Sequence, residues 1–353
     1  MSEELNPTEA RRSWVKTVVQ LVGFALSIGA LGWAVSTALK EENRAQLENL
    51  QNASVGQVMG LVGLSFASVA VNGMIFWVVI RPVHRIRLTD VISTNAIATF
   101  LAYLPFKMSV VARVAIHNKR DGVPVLTIGA WFAAVGVLML AVLGPMALMS
   151  FVLKEVNVLW WVGVVGSVGV SVGVLILCAR FFYGDRGVAR IASVGMLERV
   201  TRLDAFGKVH AGFDMIAAPS ASLWAGVFRV LDVLAFAGRF VVAAAVLGLP
   251  ISGGDALLLG VVYFLIGVLS PFGMLGTREA GTIGAAALFG VSSAAIGDGG
   301  GEGPIAAAVV FITAVEAVVN LGCAGFGVAW LRIKKGIGVE GARAGSDGAS
   351  DSA

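Results

Sequence analysis

The charged residues inside long apolar stretches are the part of this sequence that could do chemistry. Arg229, Asp232 and Arg239 fall within the apolar run 222–249, and their spacing of three and seven residues places them on one face of a helix. A charge at the centre of a membrane helix costs roughly 2.5–3.5 kcal/mol on insertion scales, so each needs a reason to be there. One acid between two bases predicts a net positive site for a lipid phosphate; an internal ion pair is the structural alternative.

A second group of charges follows a break in the apolar pattern. Arg278 and Glu279 come shortly after Pro271, Gly273 and Gly276. A helix broken at such a point exposes backbone amides that bind anions. An arginine beside them strengthens a site for phosphate or carboxylate. We therefore expect the two glycines and the two charged residues to bind substrate.

The last apolar run contains one acid, Glu316, with Thr313 and Asn320 on the same helix face. The sequence predicts that Glu316 pairs with Arg239 or Arg278. A role as a proton or ion carrier is the alternative, because isolated acids in membranes often have that function. In either case we expect Glu316 to belong to the same substrate-binding site as Asp232 and the arginines.

Composition indicates the environment of these charges. Of the 353 residues, 57% are hydrophobic and only 14% are charged, whereas a soluble domain carries about 25% charged residues. The net charge is +4, but no basic stretch is interleaved with aromatic residues as in nucleic-acid-binding domains. We therefore predict an all-α, polytopic transmembrane helix bundle that does not bind nucleic acid.

Catalytic and metal-binding patterns are weak. Cys178 and Cys323 lie in apolar runs and are interpreted as small hydrophobic residues, and the three histidines are not closely paired. No credible Ser-His-Asp arrangement occurs. We expect no enzyme activity, no metal and no cofactor.

Six apolar segments are long enough to span a membrane, since a spanning helix needs about 20 residues. These segments are 17–39, 56–80, 125–153, 158–182, 222–249 and about 304–331. Two further apolar regions cannot be assigned as ordinary membrane spans. The apolar stretch 91–104 is too short to span and ends at Pro105, and the borderline stretch 255–272 contains Pro271 and is followed by another at 280–296.

Lysine and arginine positions predict the topology, because basic loops stay in the cytoplasm. Basic residues cluster in the N-terminal flank, in 81–89, in 183–221 and in the C-terminal flank, which places both termini in the cytoplasm of a bacterial-type plasma (inner) membrane. Loops 40–55, 154–157, 250–254 and 297–303 then lie outside. Consequently 91–121 must be a re-entrant hairpin, whereas 255–296 either dips in from outside or crosses twice.

The two broken regions resemble each other. Pro105-Phe106-Lys107-Met108 precedes Arg113, and Pro271-Phe272-Gly273-Met274 precedes Arg278 and Glu279. Interrupted segments at matching places in two halves point to an inverted-repeat transporter. The fold predicted is therefore six full spans plus two Pro/Gly-broken re-entrant hairpins, about eight membrane helices, with an inverted repeat.

Residues 1–335 are predicted to form one transmembrane domain. Within it, 186–218 is weakly amphipathic and is expected to lie on the cytoplasmic membrane surface, with a soluble linker helix as the alternative. The tail 336–353 is rich in Gly, Ser, Ala and Asp and is expected to be disordered.

The sequence resembles the transmembrane, flippase-like domain of the lysylphosphatidylglycerol synthase/flippase family over about residues 10–335. That family has a Leu-Pro break followed by Gly-Glu and Arg in its first half, and a Pro-Gly break followed by Gly-x-Arg-Glu in its second. The residues matching the first are Leu104, Pro105 and Arg113, and those matching the second are Pro271, Gly273, Gly276, Arg278 and Glu279. The resemblance implies lipid translocation.

The sequence also departs from the family pattern. Ser109-Val110 stands where the resemblance implies Gly-Glu, and Trp131-Phe132 stands where it implies Glu-Arg. Two acids expected at the site are thus replaced. The tail is also too short to encode the family's soluble aminoacyl-transfer domain, so we expect no lipid aminoacylation.

Three functions remain for testing. The first is movement of an amphipathic phospho- or glycolipid, with an anionic headgroup, between leaflets; the residues expected to guide the headgroup are Arg113, Arg239, Arg278 and Glu279. The second is a non-transporting scaffold or accessory subunit for envelope-lipid biosynthesis enzymes, which the replaced acids favour. The third, a membrane-embedded transferase, is disfavoured because no credible base or metal site is present.

Overall fold

A computed structural model describes residues 7–193, 198–291 and 303–347 of the chain. All regular elements in these residues are helices, with a 3-10 turn at Glu41–Asn43. The first seven α-helices are α1 (Pro7–Ala38), α2 (Arg44–Gln51), α3 (Val55–Ile80), α4 (Leu88–Leu101), α5 (Met108–Lys119), α6 (Val125–Val152) and α7 (Val158–Phe181). The other seven are α8 (Gly184–Ala192), α9 (Glu198–Thr201), α10 (Asp204–Ala217), α11 (Pro219–Leu247), α12 (Gly253–Leu269), α13 (Thr277–Leu288) and α14 (Gly303–Asp347).

Six helices in the described part of the chain are long and apolar enough to cross a membrane, which confirms the predicted polytopic helix bundle. Their membrane-compatible segments are Thr17–Ala38, Val55–Ile80, Val125–Val152, Val158–Phe181, Pro219–Leu247 and Gly303–Arg332. Several large apolar side chains of α7, among them Val158, Val165 and Leu177, are at least 67% exposed. Such a surface is unfavourable in water and suits contact with lipid chains.

The two halves of the bundle share one order of elements. In each half a long helix (α3 or α11) leads into a broken pair of short helices and then into a second long helix (α6 or α14). Helices α3 and α11 pack antiparallel: Ser68 bonds Asp232, whereas Leu64, one turn earlier, lies against Gly238, further along α11. The two short-helix pairs therefore start at opposite ends of the bundle, as an inverted repeat requires.

Each short-helix pair also returns to the end at which it began. His84, before α4, lies 3.1 Å from the carbonyl oxygen of Asp121, after α5. The segment 151–154, at the end of α6, contacts both ends of the other pair: Gly254 at the start of α12 and Phe289 just after α13. We call α4–α5 the first hairpin and α12–α13 the second hairpin. Neither pair carries the chain from one end of the bundle to the other.

The tips of the two hairpins meet in the middle of the bundle. The Met274 amide donates to the carbonyl oxygen of Ala102 at 3.0 Å. Both tips contain left-handed backbone, with φ of +65° at Phe106, +51° at Lys107 and +114° at Gly273. Proline contributes to the breaks because it lacks an amide hydrogen and restricts the residue before it. Contact between the tips gives this irregular backbone hydrogen-bond partners within the protein, while Leu104 and Lys107 of the first tip stay exposed.

The stretch 186–218, predicted to be a surface helix, is divided into α8, α9 and α10. Helix α10 buries Met215 and Ile216, and Gly212 of α10 approaches the backbone of Ala130 in α6. This part of the stretch is therefore docked against the spans. The 297–303 loop falls largely outside the described residues. Of the predicted tail 336–353, residues 336–347 continue the backbone of α14, and 348–353 lie outside the described residues.

Candidate functional site

Four buried charges form a compact network where α11, α13 and α14 meet. Glu316 Oε2 lies 3.2 Å from Arg239 Nη1 and 3.2 Å from Arg278 Nη1. Arg278 Nη2 lies 3.3 Å from Glu279 Oε1. The side chains are at most 7% exposed, and the two positive charges balance the two negative ones. The prediction that Glu316 pairs with Arg239 or Arg278 is confirmed, and it pairs with both.

Neutral side chains hydrogen-bond the carboxylates of this network, whereas the Arg239 guanidinium makes no hydrogen bond to the described residues and meets Glu316 through charge alone. Tyr263 donates to Glu316 Oε2 at 2.9 Å, and Thr313 donates to Glu279 Oε1 at 2.8 Å. The guanidinium of Arg278 lies over the Tyr263 ring at 4.0 Å, in cation–π geometry. A buried ionic cluster needs such partners, because an unpaired charge or polar group at this depth is costly.

The second hairpin closes its own anion site, which corrects the expectation of free amides at the break. The Gly276 amide donates to Glu279 Oε2, so the chain's own carboxylate occupies the start of α13. Gly276 has φ of +82°, and a Cβ there would lie 1.6 Å from the Ser27 carbonyl oxygen of α1. Only glycine fits this position. Gly273 packs against the first hairpin, where a Cβ would lie 3.3 Å from the Tyr103 carbonyl oxygen.

The predicted net positive face of α11 is also corrected. Arg229 Nη1 pairs with Asp232 Oδ2 at 2.7 Å, and Ser68 donates to Asp232 Oδ1 at 2.6 Å. Arg239 instead pairs with Glu316. Each cation of α11 therefore has a carboxylate partner, and the structural alternative of an internal ion pair holds for Arg229 and Asp232.

Arg113 is also buried, but its guanidinium contacts an amide oxygen and an aromatic ring. Its Nη2 donates to Asn95 Oδ1 at 2.5 Å, and its guanidinium lies over the Phe76 ring at 4.1 Å. Within 7–193, 198–291 and 303–332 no carboxylate forms a salt bridge with it. Asn95 itself bonds the Val69 carbonyl oxygen at 2.7 Å, so it links α4 to α3.

A cavity of about 290 Å³ lies beside the meeting point of the tips. Four charged residues line it: Lys107, Arg113, Arg229 and Glu316. Its wall also includes Leu104, Val110 and Val268, which are 40–43% exposed. Exposed apolar residues on a membrane protein indicate that this side of the cavity faces lipid, and we call it the cavity mouth.

The charges of the cavity do not cancel. Arg229 is balanced by Asp232, and Glu316 by two arginines. Lys107 Nζ bonds only carbonyl oxygens, those of Ser270 at 2.6 Å and Val268 at 3.4 Å. Lys107 and Arg113 therefore give the cavity a positive charge that no carboxylate in the described part of the chain offsets.

A family model for the lysylphosphatidylglycerol synthase TM region matches residues 20–297, which include α3–α6, α11 and both hairpins. The chain belongs to the lysylphosphatidylglycerol synthase TM family. No curated protein and no solved structure matched the chain. Family membership makes this an integral membrane protein tied to lipid metabolism or transport.

The departures from the family pattern fall around the uncompensated charge. Val110 and Phe132 line the cavity. Trp131 is fully buried beside it and donates from Nε1 to the Phe76 carbonyl oxygen at 2.9 Å. Where the family resemblance implies acids, at 110 and 131, this chain has a valine and a tryptophan. The two acids that the resemblance implies for the site are therefore absent from the surroundings of Arg113.

Sequence reasoning did not select three residues of this family member's polar centre. Tyr103 accepts a hydrogen bond from Asn320 at 3.0 Å, Tyr263 bonds Glu316, and Lys107 joins the hairpin tips. The chain has only three tyrosines, and two lie in its apolar helical core, so their rarity was a usable signal. Lys107 was the only charge between Asp90 and Arg113, and it too could have been found.

Proposed function

We propose that this protein moves an amphipathic lipid with an anionic headgroup between the leaflets of a bacterial-type plasma membrane, without catalysing a covalent step. The observation that carries this proposal is the positively charged cavity between the hairpin tips, with an apolar, exposed mouth. A charged headgroup crossing a bilayer unaided has no partners in the hydrocarbon region. The cavity supplies those partners at the point where the two hairpins meet.

The dimensions of the cavity support headgroup binding. Its volume of about 290 Å³ is at the lower end of the range for small-molecule pockets, ≈ 300–1,000 Å³. Such a space holds a phosphate and its neighbouring groups but not a pair of acyl chains. The chains would remain in the bilayer, in contact with Leu104, Val110 and Val268 at the mouth.

The direct test is leaflet exchange in liposomes that contain the purified protein and a fluorescent phosphatidylglycerol. We expect the protein to accelerate exchange over empty vesicles, measured as the fraction of probe that a membrane-impermeant quencher reaches with time. Vesicles containing heat-inactivated protein control for leakage and for insertion defects. Exchange at the empty-vesicle rate would disprove the transport proposal.

The proposed membrane orientation predicts which residues share a face. Single cysteines replacing Arg85 and Lys119, on either side of the first hairpin, should react with a membrane-impermeant thiol reagent from the cytoplasmic side. A cysteine replacing Lys154 should react from the opposite side. The measurement requires a background in which Cys178 and Cys323 are replaced by serine. Labelling of positions 85 and 119 from different sides would show that the first hairpin crosses the membrane.

The second candidate is a non-transporting scaffold for envelope-lipid biosynthesis enzymes. The apolar residues Val110 and Trp131 favour it, because they replace acids that the family resemblance implies for the site. This candidate predicts that the protein alone leaves lipid exchange unchanged and that it co-purifies with a lipid synthase. The liposome measurement therefore separates the two functions.

A further inference from the structure

We infer that Lys107 determines which headgroup the cavity binds. Lys107 binds the phosphate of an anionic lipid headgroup at the mouth, and the phosphate then moves deeper to Arg113. The present hydrogen bonds from Lys107 to the second hairpin hold the two tips together; we call them the latch, and the phosphate releases it. This inference rests on the proposed transport of a lipid. It assigns the anion site to the first hairpin, whereas sequence reasoning placed it mainly in the second.

The charge balance of the polar centre leads to this assignment. Arg229, Arg239 and Arg278 all have carboxylate partners within 3.3 Å. An incoming phosphate would have to displace these carboxylates, which are buried and cannot move into water. Lys107 and Arg113 offer positive charge that no carboxylate in the described chain has taken. They are the cations with which a phosphate can pair without displacing an acid.

The two cations, Lys107 and Arg113, lie at different depths in the cavity. Lys107 is exposed and immediately precedes α5, whereas Arg113 is buried, six residues further on. Six residues correspond to about 9 Å along a helix. Both line the cavity. A headgroup arriving from the lipid side therefore meets the lysine first and the arginine deeper inside.

The partners of Lys107 can be replaced by a phosphate. Its ammonium bonds the carbonyl oxygens of Val268 and Ser270, at the end of α12. These bonds already have a charged donor, but a neutral carbonyl oxygen carries no net charge to attract the ammonium, whereas a phosphate adds the Coulombic attraction of an opposite charge. Phosphate oxygens therefore compete well with these carbonyls for the ammonium.

The backbone conformation of the first hairpin tip depends on the same hydrogen bonds from Lys107. Phe106 and Lys107 both have positive φ, a conformation that non-glycine residues keep only when the surroundings hold them there. The bonds from Lys107 to Val268 and Ser270 are part of that support, and they tie one hairpin tip to the other. When a phosphate replaces these two carbonyl oxygens as the partner of Lys107, the lysine no longer ties the first tip to the second.

The cavity also indicates which headgroups it favours. Glu316 is the acid of its lining, and two arginines already neutralise it. The ammonium of a zwitterionic headgroup therefore finds no available carboxylate there. Phosphatidylglycerol, which carries a phosphate and no amine, suits the cavity better than phosphatidylcholine.

The test compares leaflet exchange of fluorescent phosphatidylglycerol and phosphatidylcholine by four proteins: wild type, Lys107→Met, Lys107→Arg and Lys119→Met. The last removes a lysine at the other end of α5 and outside the cavity. We expect wild type to prefer phosphatidylglycerol, Lys107→Met to lose about tenfold of that preference, the scale of one charge-assisted contact, and the other two variants to keep it. An unchanged preference in Lys107→Met would overturn the inference and leave the transport proposal standing.

A binding measurement separates the inference from transport. Added phosphatidylglycerol should raise the unfolding temperature of wild type and Lys107→Arg in detergent more than that of Lys107→Met. Equal stabilisation by inorganic phosphate would show a site for soluble anions and overturn the assignment to a lipid. Stabilisation that depends on Lys107, in a protein that exchanges no lipid, would support the anion site and disprove transport. No difference between wild type and Lys107→Met would overturn the role of Lys107.

Discussion

Replacement of Arg278 by methionine should destabilise the protein by about 3–5 kcal/mol, the usual cost of removing one partner from a buried ion pair. Arg278 is completely buried and contacts both Glu279 and Glu316. Without it, two carboxylates share the single nearby charge of Arg239. The measurement is thermal or denaturant unfolding in detergent, followed by size-exclusion chromatography.

Two variants control this prediction. Arg44→Met removes an arginine from an exposed pair, in which Arg44 and Glu48 are 79% and 63% exposed; we expect a change of at most about 1 kcal/mol. Arg278→Met combined with Glu279→Gln restores charge balance and should recover part of the lost stability. Equal stability of Arg278→Met and Arg44→Met would show that the network does not stabilise the fold.

Locking the two hairpin tips together should reduce lipid exchange to the rate of empty vesicles. The Met274 amide and the Ala102 carbonyl are hydrogen-bonded, which brings the two backbones close enough for a disulfide between cysteines at these positions. If transport requires the tips to separate, oxidation of Ala102→Cys/Met274→Cys should stop exchange and a reducing agent should restore it. The variant is made with Cys178 and Cys323 replaced by serine.

The single variants Ala102→Cys and Met274→Cys are the controls, and the same oxidant should leave their exchange unchanged. Formation of the disulfide is measured by mass spectrometry of the digested protein. Full exchange by the cross-linked protein would show that the headgroup passes without separation of the tips. The latch at Lys107 would then not act as a gate.

The inverted arrangement gives a physical reason for expecting movement at the tips. Helices α3 and α11 are joined through Ser68 and Asp232, and the charges around them are balanced, so this part of the bundle is a stable frame. The tips are held to each other by one backbone hydrogen bond and one lysine. Hairpins that enter from opposite ends can open the site alternately to the two leaflets.

Much of the architecture was predictable because it depends on local properties of the chain. The length of each apolar run is set by the thickness of the bilayer, and the six spans follow from it. Pro105 and Pro271 interrupt α-helical hydrogen bonding wherever they occur, so the two breaks were predictable too. The lysine and arginine pattern predicted that the two broken regions begin on opposite sides, with a hairpin for the first and either a hairpin or a double crossing for the second; in the structure the antiparallel packing of α3 on α11 starts the two pairs at opposite ends.

The long-range partners of the buried charges were decided by tertiary structure. Arg239 shares a helix face with Asp232, yet it pairs with Glu316, 77 positions away in the sequence. The Gly276 amide is a different case, because Glu279 binds it three residues on in a local capping box, which sequence reasoning overlooked. Lys107 was visible as a lone base, but its contact with Ser270 depends on how the two tips meet. Spacing along one helix fixes which face a residue occupies, whereas the rotation and approach of neighbouring helices decide which charge it meets and which charges remain for a ligand.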